Sequence, residues 1–481
     1  METATGTHDE PLAGRGEEGP KLALCIAFAS DGRTAGEVLL ARERGRTYLV
    51  GRGPKDAEDT LPRLLPLRQR PGKNDLGPAL SDAQLSRQQL RVESDGTRLR
   101  LENLGKRELL DAGGSARREL SLAPGEVAEI RGRLLLVCVE RPPLLPAARS
   151  LGKTLHPFGE PDAQGFVGES PVAWKLRDTA AFVAARAAHV LLLGESGTGK
   201  EVVARMIHEL SKRGSKRLVS RNAATLPEGL IDAELFGHVA NYPNAGMPER
   251  QGLVAEADGG TLFLDEIGEL GHELQTRLLR VMDERGEYQR LGDPRLRTSN
   301  FRLVAATNRP ASALKHDIAA RFRLRLTVPT LGERREDIPL VARHLLRRAS
   351  LQDPEIGARF LEGWDGRSGE PRLSCELVRA LVAHDYRTHV RELDALLWAS
   401  LASSPAERAE LTPEAREALD EVGERPSQAP RVDVRELTAE TVRAALERAG
   451  GVHERAWKEL GLANRHVLKR LVAKFGLRDD G

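Results

Sequence analysis

A chain of 481 residues, 40% apolar and 30% charged, can fill several cores, and about two to four domains are expected of that length. Its net charge of +2 excludes a chain that is polycationic throughout, so any contact with nucleic acid must be local. Cys25, Cys138 and Cys375 have no paired spacing and give neither a disulfide framework nor a zinc site; no apolar run approaches the roughly 18 residues that span a bilayer, and the polar, acidic start is unlike a signal peptide, so a cytoplasmic protein with no membrane partner is expected. Residues 1–20, rich in Gly, Glu, Thr and Pro, read as a disordered tail. Residues 21–140 hold short strand-like runs at 22–28, 47–50, 90–92, 99–101 and 134–139, divided by turn residues with no helical period, and predict a small β-sandwich. Between them, residues 53–84 read as a long Pro- and Arg-rich loop.

Within this stretch Gly51-Arg52 follows a strand and Leu85-Ser86-Arg87 precedes another, an arrangement that resembles a forkhead-associated domain. An arginine fork beside a serine hydroxyl suits a phosphate dianion. The resemblance implies a phosphothreonine protein as partner, with Arg52, Ser86 and Arg87 as the phosphate contacts. The chain departs from the family at Gln89, where a His is usual, and at Gly105-Lys106-Arg107-Glu108, which replaces a Ser-Thr-Asn-Gly turn.

A Pro-rich stretch opening at Arg141 predicts a linker over 141–165, and residues 174–187 read as a helix. The run Val190-Leu191-Leu192-Leu193 is too short for a helix. It leads into Gly194-Glu195-Ser196-Gly197-Thr198-Gly199-Lys200-Glu201 and then a helical pattern, the strand-loop-helix context of a phosphate-binding loop. Glycines let backbone N–H groups face phosphate oxygens, the following helix adds its N-terminal partial charge, and Lys200 reaches the outer phosphates of ATP. Glu201 stands where the general motif has the Ser or Thr that holds Mg²⁺, which leaves Thr198, Asp265 or water for the metal. Thr261-Leu262-Phe263-Leu264-Asp265-Glu266 is a buried-strand pattern ending in two carboxylates, one to hold Mg²⁺ and the next to polarise the attacking water.

The wording GESGTGKE and GGTLFLDEIGE closely resembles the AAA+ ATPase domain of sigma-54-dependent activators, the bacterial enhancer-binding proteins. The resemblance runs over about 166–402, with an α/β nucleotide-binding subdomain at 166–334 and a helical lid at 335–402. It implies ATP hydrolysis in a homo-oligomeric ring, with Asn222 pairing with Glu266, Asn308 at the end of the strand 301–308 sensing the γ-phosphate, and Arg391 touching the nucleotide from the lid. It also implies that Arg321 reaches a neighbouring subunit, while Lys315 replaces a second arginine. Residues 275–285 read as a helix between these elements. Around the lid motif, Asp385-Tyr386-Arg387-Thr388-His389 departs from the family's Trp-Pro-Gly-Asn.

Residues 403–432, rich in Pro, Glu and Ser, predict a second linker. Beyond it 438–449, 453–460 and 464–475 read as three helices whose apolar stripe fits a helix-turn-helix domain over 433–481. Gly451 to Arg478 holds seven Lys or Arg against two Glu, an excess of five positive charges. Asn464, Arg465, His466, Lys469 and Arg470 would face the major groove of duplex DNA or its phosphates, and the segment resembles the C-terminal DNA-binding module of the same activators. The whole predicts a DNA-bound ATPase that works on an RNA polymerase holoenzyme. Where the family carries Gly-Ala-Phe-Thr-Gly-Ala for the sigma factor, positions 241–246 read Asn-Tyr-Pro-Asn-Ala-Gly. A DNA-binding regulator acting independently of sigma-54, or a phosphopeptide-reading signalling adaptor, therefore stays open.

Overall fold

The computed structural model describes residues 19–423 except 33–34, 54–59, 153–154, 226–229 and 284, together with 439–448 and the positions 472 and 475. It divides into two units, 1–416 and 417–481.

The first twelve strands are β1 (Lys21–Ala29), β2 (Val38–Leu40), β3 (Thr47–Val50), β4 (Leu67–Arg70), β5 (Lys73–Leu76), β6 (Leu90–Ser94), β7 (Leu99–Asn103), β8 (Leu109–Leu110), β9 (Ala116–Arg117), β10 (Glu119–Leu122), β11 (Val127–Ile130) and β12 (Leu134–Arg141). They pair antiparallel into one sheet of order β5-β4-β2-β1-β12-β11-β8-β9 and another of order β10-β7-β6-β3. The sheets share one core: Leu24, Ile26 and Leu136 from the first meet Val50, Val92 and Leu101 from the second. In β6 the burial alternates strictly, as a strand with one face on a core requires.

Two expectations are corrected here. The stretch 53–84 is not all loop, because β4 and β5 form a hairpin within it. Nor does a linker begin at Arg141. That residue ends β12 and is 1% exposed, with its guanidinium donating to Glu169 O at 3.2 Å and lying 3.5 Å from Glu336. Around it Arg70 lies over Phe158 and Trp174, and Arg177 over Trp174 and Phe166, so Phe158 of the expected linker packs against a guanidinium group.

The centre of the chain begins with α1 (Pro171–Ala184), which is capped by Ser170 and starts on a proline, three residues earlier than the sequence suggests. Then come β13 (Val190–Leu193), α2 (Lys200–Glu209), β14 (Leu218–Asn222), α3 (Ile231–Phe236), α4 (Leu253–Glu256), β15 (Thr261–Asp265), α5 (His272–Met282), β16 (Glu287–Tyr288), β17 (Arg297–Thr298), β18 (Arg302–Thr307), α6 (His316–Arg321) and β19 (Leu324–Thr327). Five of these strands make a parallel sheet of order β14-β15-β18-β13-β19. Alternate residues serve opposite faces: Leu191, Leu262, Leu264 and Ala305 pack on one side, Val190, Leu192, Phe263 and Ala306 on the other. A parallel sheet covered on both faces needs continuous apolar strands, which is why these runs stood out in the sequence.

The lid contains α7 (Ile338–Gln352), α8 (Pro354–Phe360), the short pair β20 (Leu361–Glu362) and β21 (Glu370–Pro371), α9 (Cys375–Ala383) and α10 (Val390–Ser403). It also packs on the first sheet, where Glu129 of β11 meets Arg379 of α9 at 2.6 Å with both side chains buried. Burial pushes the Glu336 carboxyl upward, and the Arg141 charge pulls it back. The second expected linker is corrected as well, since α11 (Pro413–Gly423) lies within 403–432. In the second unit α12 (Ala439–Arg448) falls on the helix expected at 438–449. The helix expected at 453–460 and, but for positions 472 and 475, the one expected at 464–475, with Asn464, Arg465, His466, Lys469 and Arg470, lie outside the described residues, as does the tail at 1–18.

Candidate functional site

β13, β15 and β18 end side by side, and their C-terminal ends form the crevice where open α/β sheets hold ligands. From β13 the chain turns through residues 194–199 into α2, with Gly197 at φ 81° and Gly199 at φ 101° as the cap. Glycine is required at Gly197 twice over, by this left-handed φ and because a Cβ there would lie 2.0 Å from Thr388 O. Lys200 is 6% exposed; its Nζ donates to Gly194 O at 2.9 Å and Glu195 O at 3.1 Å and lies 3.8 Å from Glu266 Oε1. Thr198 is buried, its hydroxyl donating to Glu195 O at 2.9 Å.

Asp265 ends β15 and accepts from Glu266 N at 3.0 Å. Glu266 sits in left-handed backbone (φ 53°, ψ 46°), at a cost of about 1–3 kcal/mol that the surroundings must offset. Its Oε2 accepts from Asn308 N at 3.2 Å, so the second carboxylate and the end of β18 meet. Asn222 stands beside Asp265 in register, but the expected pairing with Glu266 is absent among the described residues. Its Oδ1 accepts from Ala224 N at 2.9 Å, closing the turn that follows β14, and that local bond commits the side chain.

The lid closes on the phosphate loop. Val390 N donates to Gly197 O at 3.1 Å and Arg391 Nη1 to Ser196 Oγ at 2.9 Å. His389, 3% exposed and at φ 49°, places Nε2 3.1 Å from Glu195 Oε2. Glu392 holds the turn before it, accepting from Arg387 N at 2.7 Å and Thr388 N at 2.8 Å with His384 Nε2 at 2.6 Å. Burial would raise the Glu392 carboxyl pKa, yet the Thr388 N–H, His384 and the Arg387 N–H together hold it below the usual range. Sequence reasoning missed His389, Glu392 and His384, although Glu392 directly follows Arg391, the lid residue that the resemblance did name. Between lid and sheet lies a cavity of about 260 Å³ lined by Lys200, Glu201, Asp265, Glu266, Arg348 and Arg391, among others. Arg348, which meets Asp394 at 3.6 Å, was also missed. Arg321 faces a different cavity, of about 1240 Å³, and pairs with Asp283 at 2.6 Å, while Lys315 Nζ donates to Thr276 Oγ1 at 2.9 Å.

The family model "Sigma-54 interaction domain" matches residues 166–330. Transcriptional regulatory protein ZraR of Escherichia coli (strain K12) is 37% identical over 325 residues, which span 64% of this chain and 68% of that protein. The chain belongs to the sigma-54-dependent activator family. The Nif-specific regulatory protein of Azotobacter vinelandii is 36% identical over 319 residues, 63% of this activator and 58% of that protein. Among solved structures, NtrX from Brucella abortus in complex with ADP is 26% identical with a TM-score of 0.46, covering 65% of this chain and 70% of that one. With the matching family model and its five-stranded parallel sheet, the central domain of this activator is an AAA+ α/β domain.

In this activator the segment after Glu234-Leu235-Phe236 is closed mainly on itself. His238 and Arg250 exchange backbone hydrogen bonds at 3.0 Å, and Val239 N donates to Leu291 O at 3.1 Å. Asn241 N donates to Met247 O at 2.8 Å, and Asn241 Oδ1 accepts from Gly246 N at 2.8 Å. The Tyr242 ring rests on Gly292, where a Cβ would lie 2.6 Å from the ring.

In the two-sheet region, the structure brings the three expected phosphate contacts onto adjacent loops. Arg52 N donates to Ser86 O at 3.0 Å, and a Cβ on Gly51 would lie 2.1 Å from Arg87 O. Gln89, 1% exposed, ties the loops together: Oε1 accepts from Ser86 N at 3.0 Å, and Nε2 donates to Asn103 Oδ1 at 2.8 Å and Arg107 O at 3.1 Å. Arg63, whose Nη1 donates to Arg87 O at 2.7 Å, joins the same cluster without a signal in the sequence, and Lys106 of the replaced turn joins it through its N, which donates to Ser86 Oγ at 3.3 Å.

Proposed function

We propose that this activator binds and hydrolyses ATP in the cavity between sheet and lid and uses the cycle, as a DNA-bound homo-oligomeric ring, to act on an RNA polymerase holoenzyme. The observation that carries the reading is the lid's grip on the phosphate loop: Val390 on Gly197 and Arg391 on Ser196 enclose Lys200, Asp265 and Glu266. Backbone N–H groups of residues 195–200 and the α2 N-terminus hold the phosphates, and Lys200 Nζ turns from the two loop carbonyls to the outer phosphates. Glu266, aligned by Asn308 N, accepts a hydrogen bond from the attacking water and orients it toward the γ-phosphorus. Products are ADP and inorganic phosphate.

The residues present fit Mg²⁺, which prefers a few carboxylate oxygens together with phosphates and water. Asp265 would hold it, since the Thr198 hydroxyl is committed to Glu195 O, and when bound the ion would neutralise charge between the phosphates. Arg321, on a separate face, would complete the site of a neighbouring subunit. Lys315 keeps a charge there without a planar fork.

The terminal segment, through Asn464, Arg465, His466, Lys469 and Arg470, would anchor the ring on duplex DNA, and Arg52, Ser86 and Arg87 would read a phosphothreonine protein. ATP turnover of the full chain against protein concentration, beside Lys200→Ala and Glu266→Ala, tests the catalytic reading. Both variants should lose roughly a hundredfold or more, and a wild type no faster than either would overturn it. Duplex binding that falls steeply with salt and weakens in a Lys469→Ala, Arg470→Ala pair tests the DNA reading; binding indifferent to both would sink it.

A second reading is favoured by the loop at 241–246. Asn241 closes it at both ends, and Pro243 fixes its own φ, so this activator would engage the polymerase otherwise than through the family's standard loop.

A further inference from the structure

The loop that carries Ser86 and Arg87 is tied to a second basic surface. Gln84 Oε1 accepts from Arg107 Nη2. Asp82 accepts from Ser30 Oγ and lies 3.6 Å from Arg133. Arg107 and Arg133 both line a cleft of about 590 Å³ between the two-sheet region and the lid, a volume in the range of ligand sites. Arg131 completes that wall, and Arg343, Arg372 and Arg408 come from the lid side, with Glu362 and Glu370 as the acidic members of the lining.

Some of these guanidinium groups are already engaged. Arg343 is held by Glu370, and Arg133 by Asp82. Others have weak partners. Arg372 reaches Glu407, whose side chain is 78% exposed, at 2.9 Å, and Arg131 pairs with the half-exposed Glu108. Exposed pairs of this kind contribute about 0–1 kcal/mol and yield readily to a better anion. Among the described residues neither Arg107 nor Arg408 is paired with a carboxylate. Guanidinium groups gathered from two bodies across one cleft repel one another unless an anion lies between them, and their planar forks suit carboxylates and phosphates.

We propose that this cleft takes the acidic flank of a phosphothreonine peptide whose phosphate sits against Arg52, Ser86 and Arg87, so that one ligand touches the two-sheet region and the lid together. The inference rests on the phosphothreonine reading above and adds to it the chemistry of the flanking residues and a route to the ATPase. That route runs along one helix: α7 carries Arg343 into the cleft and Arg348 into the nucleotide cavity. An acidic ligand that competes with Glu370 for Arg343 therefore acts on the helix that also lines the nucleotide site.

The experiment uses the full chain and two phosphothreonine peptides, one with glutamates on both sides of the phosphothreonine and one with alanines in their place. The wild type should bind the acidic peptide about tenfold tighter. An Arg372→Gln, Arg408→Gln variant should bind both alike, at the affinity of the alanine peptide, and that retained binding shows the variant is folded. Arg87→Gln should lose both. Equal affinity of the wild type for the two peptides, or a preference that survives Arg372→Gln, Arg408→Gln, overturns the cleft and leaves the phosphothreonine reading standing. Failure of both phosphopeptides to bind the wild type overturns both.

Discussion

The phosphate loop at 194–200 and the loop at 241–246 lie in the same ATPase domain and are built in opposite ways. The first is fixed from far along the chain: Thr388, His389, Val390 and Arg391 of the lid all touch it. The second is fixed mainly from within, by Asn241 reaching Gly246 and Met247, with the Tyr242 ring resting on Gly292, and its residues are exposed. A loop gripped by two subdomains responds when they move apart, whereas one closed by its own short hydrogen bonds is insulated from such motion. In this activator Lys200, Asp265 and Glu266 follow the family's wording, whereas Lys315 and the six residues at 241–246 do not.

Open-complex formation on supercoiled DNA with purified sigma-54 polymerase and ATP gives the largest expected effect. The wild type should not open the promoter. The six-residue exchange Asn241→Gly, Tyr242→Ala, Pro243→Phe, Asn244→Thr, Ala245→Gly, Gly246→Ala should open it, and robust opening by the wild type would erase the contrast. Gly197→Ala gives a smaller effect on the other side of the comparison. Its left-handed φ alone costs about 1–2 kcal/mol and Thr388 O must also move, expected as a loss of ATP affinity of about tenfold or more by titration. Unchanged affinity would show that the lid does not set the shape of the phosphate loop.

What was legible in the sequence follows from where local pattern and burial coincide. β13, β15 and β18 are covered on both faces and so had to be unbroken apolar runs, and Lys200, Asp265 and Glu266 follow directly from their ends. β4 and β5 were not legible, because LRQR and KNDL are polar strands near one sheet edge with no apolar alternation to betray them. The expected meeting of Asn222 with Glu266 rests on a resemblance, which gives a residue's place and not its hydrogen bond, and here a turn closer at hand holds its side chain. The grip of His389 on Glu195 and the meeting of Glu129 with Arg379 join residues far apart in sequence through polar groups, and neither leaves a periodic trace.

The buried charges where β11 and β12 meet the lid also decide where this molecule can be divided. A cut after residue 140 looks natural on paper, yet it would leave Arg379 without Glu129, and an uncompensated buried charge costs roughly 3–5 kcal/mol. The stack of Arg70, Trp174, Arg177 and Phe166 would be opened by the same cut. Heat should therefore melt the two-sheet region and the lid in one calorimetric transition rather than two. A chimera that exchanges the first 140 residues will hold together only if its new partner restores the charge facing Arg379.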